Sequence, residues 1–374
     1  MRRSATLRRN LAAVAGAAIL SMGVPSPARA AAGHLDASFR SGGTVTTDFA
    51  GHVDIGYPMA LQPDGKILVA GESGLEGNPK FALARYNPDG SLDPTFGGDG
   101  RITTDFTGGE DVAYGLAVQL DGKIVAAGTA GGYAKFALAR YNADGSLDAT
   151  FGGDGKVTTD FTAGGDYAYG MAIQSDGKIV AAGNAGVTGS DSRFALARYN
   201  ADGSLDPTFG GDGKVTTDLT SYPDDGLAMA IQSNGKIVMA GGAGFGAPNE
   251  KFGLVRYNPN GTLDATFGGD GKRTTDFTPG DDDVYSLAIQ SNGKIVAAGQ
   301  SGSRNATFAL ARYTRNGILD STFGGGDGKR TTDFTKAYDS IYSVVIQPDG
   351  KIVAAGAAGL GGPNGNFAVA RYLA

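Results

Sequence analysis

From residue 35 onward the chain is built of short runs in which large apolar residues alternate with small or polar ones. Residues 101–142 show the pattern: "RITTDF" (101–106), "VAYGLAVQ" (112–119), "KIVAAG" (123–128) and "FALARYN" (136–142). Each run is six to eight residues long and rich in β-branched, aromatic and small residues. None has the three-and-four apolar spacing of a helix, so the pattern predicts four strands. The second and third are separated by a Gly-terminated turn ("LDG", "SDG", "SNG" or "PDG" in different copies), which predicts a β-hairpin. Alternation of large and small residues in "FALAR" and "YGLAV" predicts sheets buried on both faces, interdigitating with their neighbours.

This unit recurs. The string "Q-x-D/N-G-K-I" has its Gln at 62, 119, 174, 232, 290 and 347, at intervals of 57, 55, 58, 58 and 57 residues. "FALARY" or a close variant begins at Phe81, Phe136, Phe194, Phe252, Phe308 and Phe367, and "LD-x-T/S-F" at Leu35, Leu92, Leu147, Leu205, Leu263 and Leu319. Self-similarity at this period signals a repeat architecture, and a four-stranded meander repeated six times predicts an all-β, six-bladed β-propeller. A parallel β-helix would need much shorter coils. The phase supports closure: "GTVTTDF" (43–49) is a strand without its blade at one end, and the last blade lacks that strand at the other. Pairing the two would close the ring and remove an open sheet edge.

The unit "QPDGKILVAG…FALARYNPDGSLDPTFGGDG" resembles the delta-sixty repeat, a bacterial repeat family of propeller-like proteins. The likeness covers essentially all of residues 35–374. The family carries no established catalytic residues, so the resemblance implies a fold and leaves activity open.

Residues 1–30 are of another kind. "MRRSATLRRN" carries four Arg and no acid, "LAAVAGAAILSMGV" is apolar, and Ala28 and Ala30 give a small-x-small ending. This is the layout of a secretory signal peptide cleaved after Ala30, which leaves 31–374 as a single propeller domain. The apolar run is too short for a membrane anchor. Arg8–Arg9 hints at twin-arginine export, with the general secretory route equally open. A secreted, periplasmic or extracellular location is expected. Removing five Arg takes the formal charge from −6 to about −11, a poor match for nucleic acid. With no Cys, disulfides, zinc-thiolate sites and thiol nucleophiles are excluded. A monomer with no membrane span is expected.

Successive connections in a meander alternate between the two ends of a blade. The hairpin turns and the long "NPDGSLDPTFGGDG" connections share one end and barely change between copies. The other two sets of loops, such as "ESGLEGNPK" (72–80), "GAGFGAPNEK" (242–251), "TSYPD" and "TPGDD", vary strongly. Variable loops on a rigid scaffold are where binding usually sits.

One residue on the variable face does not vary. Eight positions before each repeat Gln stands Asp54, Asp111, Asp166, Asp224, Asp282 and Asp339. If the following strand is innermost, these carboxylates ring the channel mouth, a binding site with the oxygen supply for Ca²⁺, which takes six to eight oxygen ligands. The alternative is a local Asx-type bond to backbone N–H at each strand start. Repeated residues usually serve the repeat, which favours the second. The "TTD" aspartates (Asp48, Asp105, Asp160, Asp218, Asp276, Asp333) make the same face acidic, partly neutralised by Lys80, Lys135, Arg193 and Lys251. On the constant face, Arg–Asp pairs are expected to tie a strand to the long connection: Arg85 with Asp93, Arg140 with Asp148, Arg198 with Asp206, Arg256 with Asp264 and Arg312 with Asp320. Arg371 and Asp36 are their equivalents at the chain ends.

Catalysis has little to work with. The only histidines are His34 and His52, so a His-based triad or metal site is not expected. The contiguous acids of "GDDDVY" (280–285) read as a solvated turn. The sequence therefore points to a secreted, non-enzymatic binding or scaffold protein using the variable face for a glycan, an envelope polymer or a protein. A carboxylate-dependent, calcium-assisted hydrolase or lyase is the alternative.

Overall fold

Each repeat forms an antiparallel meander, and the protein is an all-β six-bladed propeller. The structure is a computed structural model and describes residues 35–374 apart from 41, 50, 76–77, 107, 132–133, 188–190, 278–279, 304 and 361–364. The expected leader over 1–30 and His34 lie outside the described residues. Blade 1 comprises β1 (Val53–Leu61), β2 (Ile67–Gly74), β3 (Lys80–Tyr86) and β4 (Arg101–Thr104). Blade 2 comprises β5 (Val112–Val118), β6 (Ile124–Ala130), β7 (Lys135–Tyr141) and β8 (Lys156–Thr159). Blade 3 comprises β9 (Tyr167–Ile173), β10 (Ile179–Ala185), β11 (Arg193–Tyr199) and β12 (Lys214–Thr217). Blade 4 comprises β13 (Asp224–Ile231), β14 (Ile237–Ala243), β15 (Lys251–Tyr257) and β16 (Lys272–Thr275). Blade 5 comprises β17 (Asp282–Ile289), β18 (Ile295–Ser301), β19 (Thr307–Tyr313) and β20 (Lys329–Thr332). Blade 6 has three strands, β21 (Tyr338–Ile346), β22 (Ile352–Leu360) and β23 (Asn366–Tyr372).

The first strand of each blade is innermost, and from blade 1 through blade 6 each touches its counterpart in the next blade. Between the first two strands of a blade the register shifts at a bulge, for example between Ala113 and Gly115 and between Val284 and Ser286. The bulge explains the invariant Gly of the "AAG" strings. At Gly71, Gly128, Gly183, Gly241, Gly299 and Gly356 a Cβ would lie 1.7–1.9 Å from a first-strand carbonyl oxygen, so only Gly allows the strands to approach.

Blades are joined by side chains of alternating size. Phe136, Leu138, Phe194, Leu196, Phe252 and Leu254 are fully buried, with small Ala and Gly residues between them. Phe96, Phe151, Phe209 and Phe267 of the long connections are also fully buried. Each ring packs against a turn glycine of the next blade, Phe96 on Gly145 and Phe209 on Gly261, and lies 4.7–4.8 Å from the guanidinium of its own blade's Arg. The hydroxyl of a fourth-strand Thr meets a Tyr of the next blade, as in Thr104–Tyr141 (2.8 Å) and Thr217–Tyr257 (2.8 Å).

The N-terminal segment repeats these contacts. Phe39 lies against Gly90, the Arg40 N–H donates to the Asp89 carbonyl (2.7 Å), and Thr47 bonds Tyr86 (2.6 Å). Residues 36–40 and 42–49 thus dock on blade 1 as the connector and fourth strand of a preceding blade. Their exposure alternates from 44 to 49 as in a strand, but the segment forms no ladder, and β23 is the edge of the sixth sheet. Phe367 is 101% and Val369 63% exposed, whereas Phe308 and Leu310 at the same places in blade 5 are fully buried. The closing strand is therefore seated on blade 1 without the ladder to β23.

Candidate functional site

The six invariant aspartates open the innermost strands at the variable face. The Oδ2 atoms of Asp54, Asp111, Asp166, Asp224, Asp282 and Asp339 accept backbone N–H bonds from Phe49, Phe106, Phe161, Leu219, Phe277 and Phe334 at 2.6–3.0 Å. In four copies Oδ1 accepts a second such bond, from Gly131, Gly186, Gly244 and Gly359 at 2.9–3.1 Å. The Asp backbone N–H in turn donates to the preceding blade, to the carbonyls of Pro79, Ala134, Ser192, Glu250 and Ala306. In the four copies with both bonds the side chain thus joins the loop after a fourth strand, the start of a first strand and the turn after a second. Five of the six have no solvent exposure. Burial pushes the Asp111 and Asp282 carboxyls up to about 6, against the opposing pull of their hydrogen bonds. Among the described residues, no group of three or more His, Asp or Glu stands close enough to hold a metal ion.

The "TTD" carboxylates lie outside these latches and pair with the bases that open the third strands. Lys80–Asp105 is 2.8 Å, Lys135–Asp160 3.0 Å, Arg193–Asp218 3.3 Å and Lys251–Asp276 3.5 Å. All are partly exposed, so the pairs contribute little to stability.

On the opposite face, Arg85–Asp93, Arg140–Asp148, Arg198–Asp206, Arg256–Asp264 and Arg312–Asp320 form buried ion pairs at 2.6–2.8 Å. Each Asp also receives a Lys, at 2.5–3.0 Å from Lys66, Lys123, Lys178, Lys236 and Lys294. In the first four pairs the Arg further donates to a carbonyl of the next blade, that of Ala143, Ala201, Pro259 and Arg315 in turn. Burial alone would raise these carboxyls. Hydrogen bonds from Thr and Lys and the Arg charge outweigh it, holding Asp264 at about 2 and the other four below the usual range.

Sixfold regularity breaks at one column of the inner strands. The residue after the invariant Asp is Ile55, Val112 or Tyr167 in blades 1–3, but Asp225, Asp283 or Ser340 in blades 4–6. In register across from it stand Glu72, Thr129, Asn184, Gly242, Gln300 and Ala357. Asp225 accepts bonds from Asn184 Nδ2 and Ser192 Oγ, both 3.1 Å away in blade 3. Asp283 accepts from the Tyr285 hydroxyl and from Gln300 Nε2, each at 3.2 Å. Glu250, like Asp283, is 1% exposed. A Cβ at Gly242 would meet Glu250 Oε1 at 2.1 Å and Asp283 Oδ1 at 2.7 Å. The missing side chain at Gly242 is what lets these two carboxylates share one space.

This corrects the reading of "GDDDVY" as a solvated turn. Asp282 and Asp283 begin β17 and are buried, because a first strand enters the ring between two blades. Directly below runs a ring that the motifs did not reveal. Five residues before each Gln come Tyr57, Tyr114, Tyr169, Leu227, Tyr285 and Tyr342, which cluster in the channel. Their recurrence in five of six copies was the available signal.

The variable loops of blade 4 present aromatic side chains outward. Tyr222 is 48% and Phe245 39% exposed, and the Phe245 N–H donates to the Pro223 carbonyl (2.7 Å), tying the two loops together. Exposed rings above a polar network can hold a ligand by stacking and hydrogen bonding. His52 is exposed on the N-terminal loop. No helix among the described residues is long and apolar enough to cross a membrane.

Solved structures of similar fold include Sqt1 from Chaetomium thermophilum, 16% identical over 86% of this chain and 87% of that one, TM-score 0.44. A polysaccharide lyase described as a PL25 ulvan lyase is 12% identical over 80% and 75%, TM-score 0.45. An α-L-arabinofuranosidase from Lactobacillus brevis is 11% identical over 69% and 89%, TM-score 0.37. With TM-scores below 0.5, none of these likenesses carries an argument about this chain. No curated protein matches the chain. The family model described as "Domain of unknown function (DUF5122) beta-propeller" matches residues 62–96, 119–151, 174–209, 232–267, 290–323 and 347–374, one match per blade and more than half the chain. The chain therefore belongs to the DUF5122 β-propeller family.

Proposed function

We propose that this is an exported, non-enzymatic binding or scaffold protein that engages its ligand through the variable-loop face, centred on blades 3–5. The observation that carries the reading is the pair of exposed rings, Tyr222 and Phe245, on two loops bonded to each other. Exposed aromatics cost solvation and are held here by backbone rather than left to collapse, as a contact platform requires. A glycan or envelope polymer suits it best, because sugar rings offer apolar faces for stacking and hydroxyls for a polar rim. A protein surface is the other ligand the face would fit.

The buried Glu250–Asp283 pair is the observation that favours a second reading, a hydrolase or lyase working through paired acids. At 1% exposure both carboxylates face protein rather than solvent, so this reading needs the loops to open. Affinity electrophoresis against neutral and uronate-rich polysaccharides tests the first reading. Retardation by one polymer is expected, lost in a Tyr222→Ala/Phe245→Ala variant with an unchanged melting temperature. Equal retardation of the variant would refute the platform. Reducing ends or unsaturated products released from the same polymers would establish the second reading instead.

A further inference from the structure

On the constant face, opposite the aromatic platform, a cleft of about 390 Å³ opens between blades 4 and 5. Its lining includes Gln232, Lys236, Arg256, Gln290, Arg315 and Asn316. This volume falls in the range of small-molecule sites. Arg256 and Lys236 both reach Asp264, at 2.6 Å each, so that one carboxylate faces two cations. Arg315 adds a third cation at the rim. It is exposed, lies over Gly293, and donates through Nη2 to the Asn292 carbonyl (3.0 Å).

One feature singles out this junction. Gln290 is 5% exposed, but its Nε2 donates to the Gly350 carbonyl of blade 6 (3.3 Å), which turns its amide, with an Oε1 that has no hydrogen-bond partner, away from blade 4. A buried acceptor without a donor costs free energy unless something donates to it. At the adjoining junction side, Gln232 Oε1 is satisfied by Arg256 Nη1 at 3.4 Å. The same amide oxygen is unpartnered at Gln62, Gln119, Gln174 and Gln347, so it does not by itself single out this junction. Arg315 does: the equivalent residues are Pro88, Ala143, Ala201 and Pro259, and no other copy has a charge there.

We propose that this cleft is a binding site for a small hydroxylated anion, a sugar acid or related hydroxy acid. The ligand's carboxylate would sit between Arg315 and Lys236, where a planar guanidinium offers paired donors to an oxyanion. The ligand's hydroxyls would bond the Gln232 and Asn316 side chains that line the cleft. The site is independent of the aromatic platform and stands or falls separately from it.

Titration calorimetry with glucuronate as the probe, and glucose as its uncharged counterpart, tests the assignment. Saturable glucuronate binding is expected at millimolar concentration or below, with glucose binding at least roughly tenfold more weakly. Arg315→Ala should weaken glucuronate binding by roughly tenfold without changing the melting temperature, since Ala143 and Ala201 occupy the same position in folded blades. Tyr222→Ala/Phe245→Ala should leave it unchanged. Absence of saturation at millimolar glucuronate, or equal affinity of wild type and Arg315→Ala, would overturn the proposal.

Discussion

Removing the Arg198 side chain tests what holds neighbouring blades in register. Its Nε and Nη2 contact Asp206 at 2.8 Å, Nη2 donates to Thr208 Oγ1 at 3.0 Å, and Nη1 reaches the Pro259 carbonyl of the next blade. The guanidinium also covers the Phe209 ring at 4.7 Å. In Arg198→Ala, Asp206, 2% exposed in the wild type, loses its guanidinium partner but keeps Lys178 and the Thr208 N–H and hydroxyl. Breaking a buried pair from one side costs about 3–5 kcal/mol, and the residual Lys178 contact places this case near 3 kcal/mol. With an unfolding entropy of roughly 2.1 cal/mol/K per residue, in a domain of this size that is a fall in melting temperature of roughly 4 °C. Arg198→Lys keeps a charge near Asp206 but cannot also reach Thr208 and Pro259, so it should lose about half as much. Scanning calorimetry at neutral pH reads both variants. A fall of less than about 2 °C for Arg198→Ala would show that the clamp is bystander geometry, and that the Phe209 plug and the small-residue strands carry the blade junction alone.

Two further predictions concern the aspartates and the ring. Asp111 and Asp282, raised in the folded state to about 6, hold protons there that the unfolded chain releases, so stability should rise as pH falls from about 6 toward 4. Asp93, Asp148, Asp206, Asp264 and Asp320 are held low, and the stability they contribute above the unfolded value of about 4 is lost as pH falls further. Melting temperature should thus peak near pH 4–5, and a steady rise from pH 4 to pH 7 would contradict the assignment. For closure, the Phe81↔Thr104 and Leu83↔Ile102 register of blade 1 places Val45 opposite Val369 if residues 44–47 complete the sixth blade. Because the chain has no Cys, Val45→Cys/Val369→Cys should form one intramolecular disulfide under mild oxidation and raise the melting temperature. A monomer whose two thiols stay free would mean that the segment does not reach β23.

The fold was legible because every level of the sequence agrees. Period-two alternation, Gly-terminated turns and three strings in fixed order all specify the same meander, and strand limits differ from those read off the residues by one or two positions. The constant-face Arg–Asp pairs were legible for a related reason. Their partners are eight residues apart in the chain, so one repeat contains the whole interaction. The invariant aspartates were half legible: their recurrence announced a structural duty, but their burial depends on the preceding blade, whose carbonyls bind their N–H groups.

What resisted reading is what forms between unlike copies. Glu250 and Asp283 belong to different blades, and their neighbourhood depends on a third position, Gly242, whose significance is a side chain that is absent. Read along the chain, Asp281, Asp282 and Asp283 are a charge run of the kind that usually faces water. Read down the column of copies, Asp283 stands where blades 1–3 carry the apolar or aromatic Ile55, Val112 and Tyr167, and Gly242 is the only glycine among Glu72, Thr129, Asn184, Gln300 and Ala357. Arg315 among Pro88, Ala143, Ala201 and Pro259 is the same kind of signal on the opposite face. In a ring of near-identical blades, the scaffold accounts for what all copies share. Recognition needs one place to differ from the rest, and Gly242, Asp283 and Arg315 all depart from their columns in blades 4 and 5.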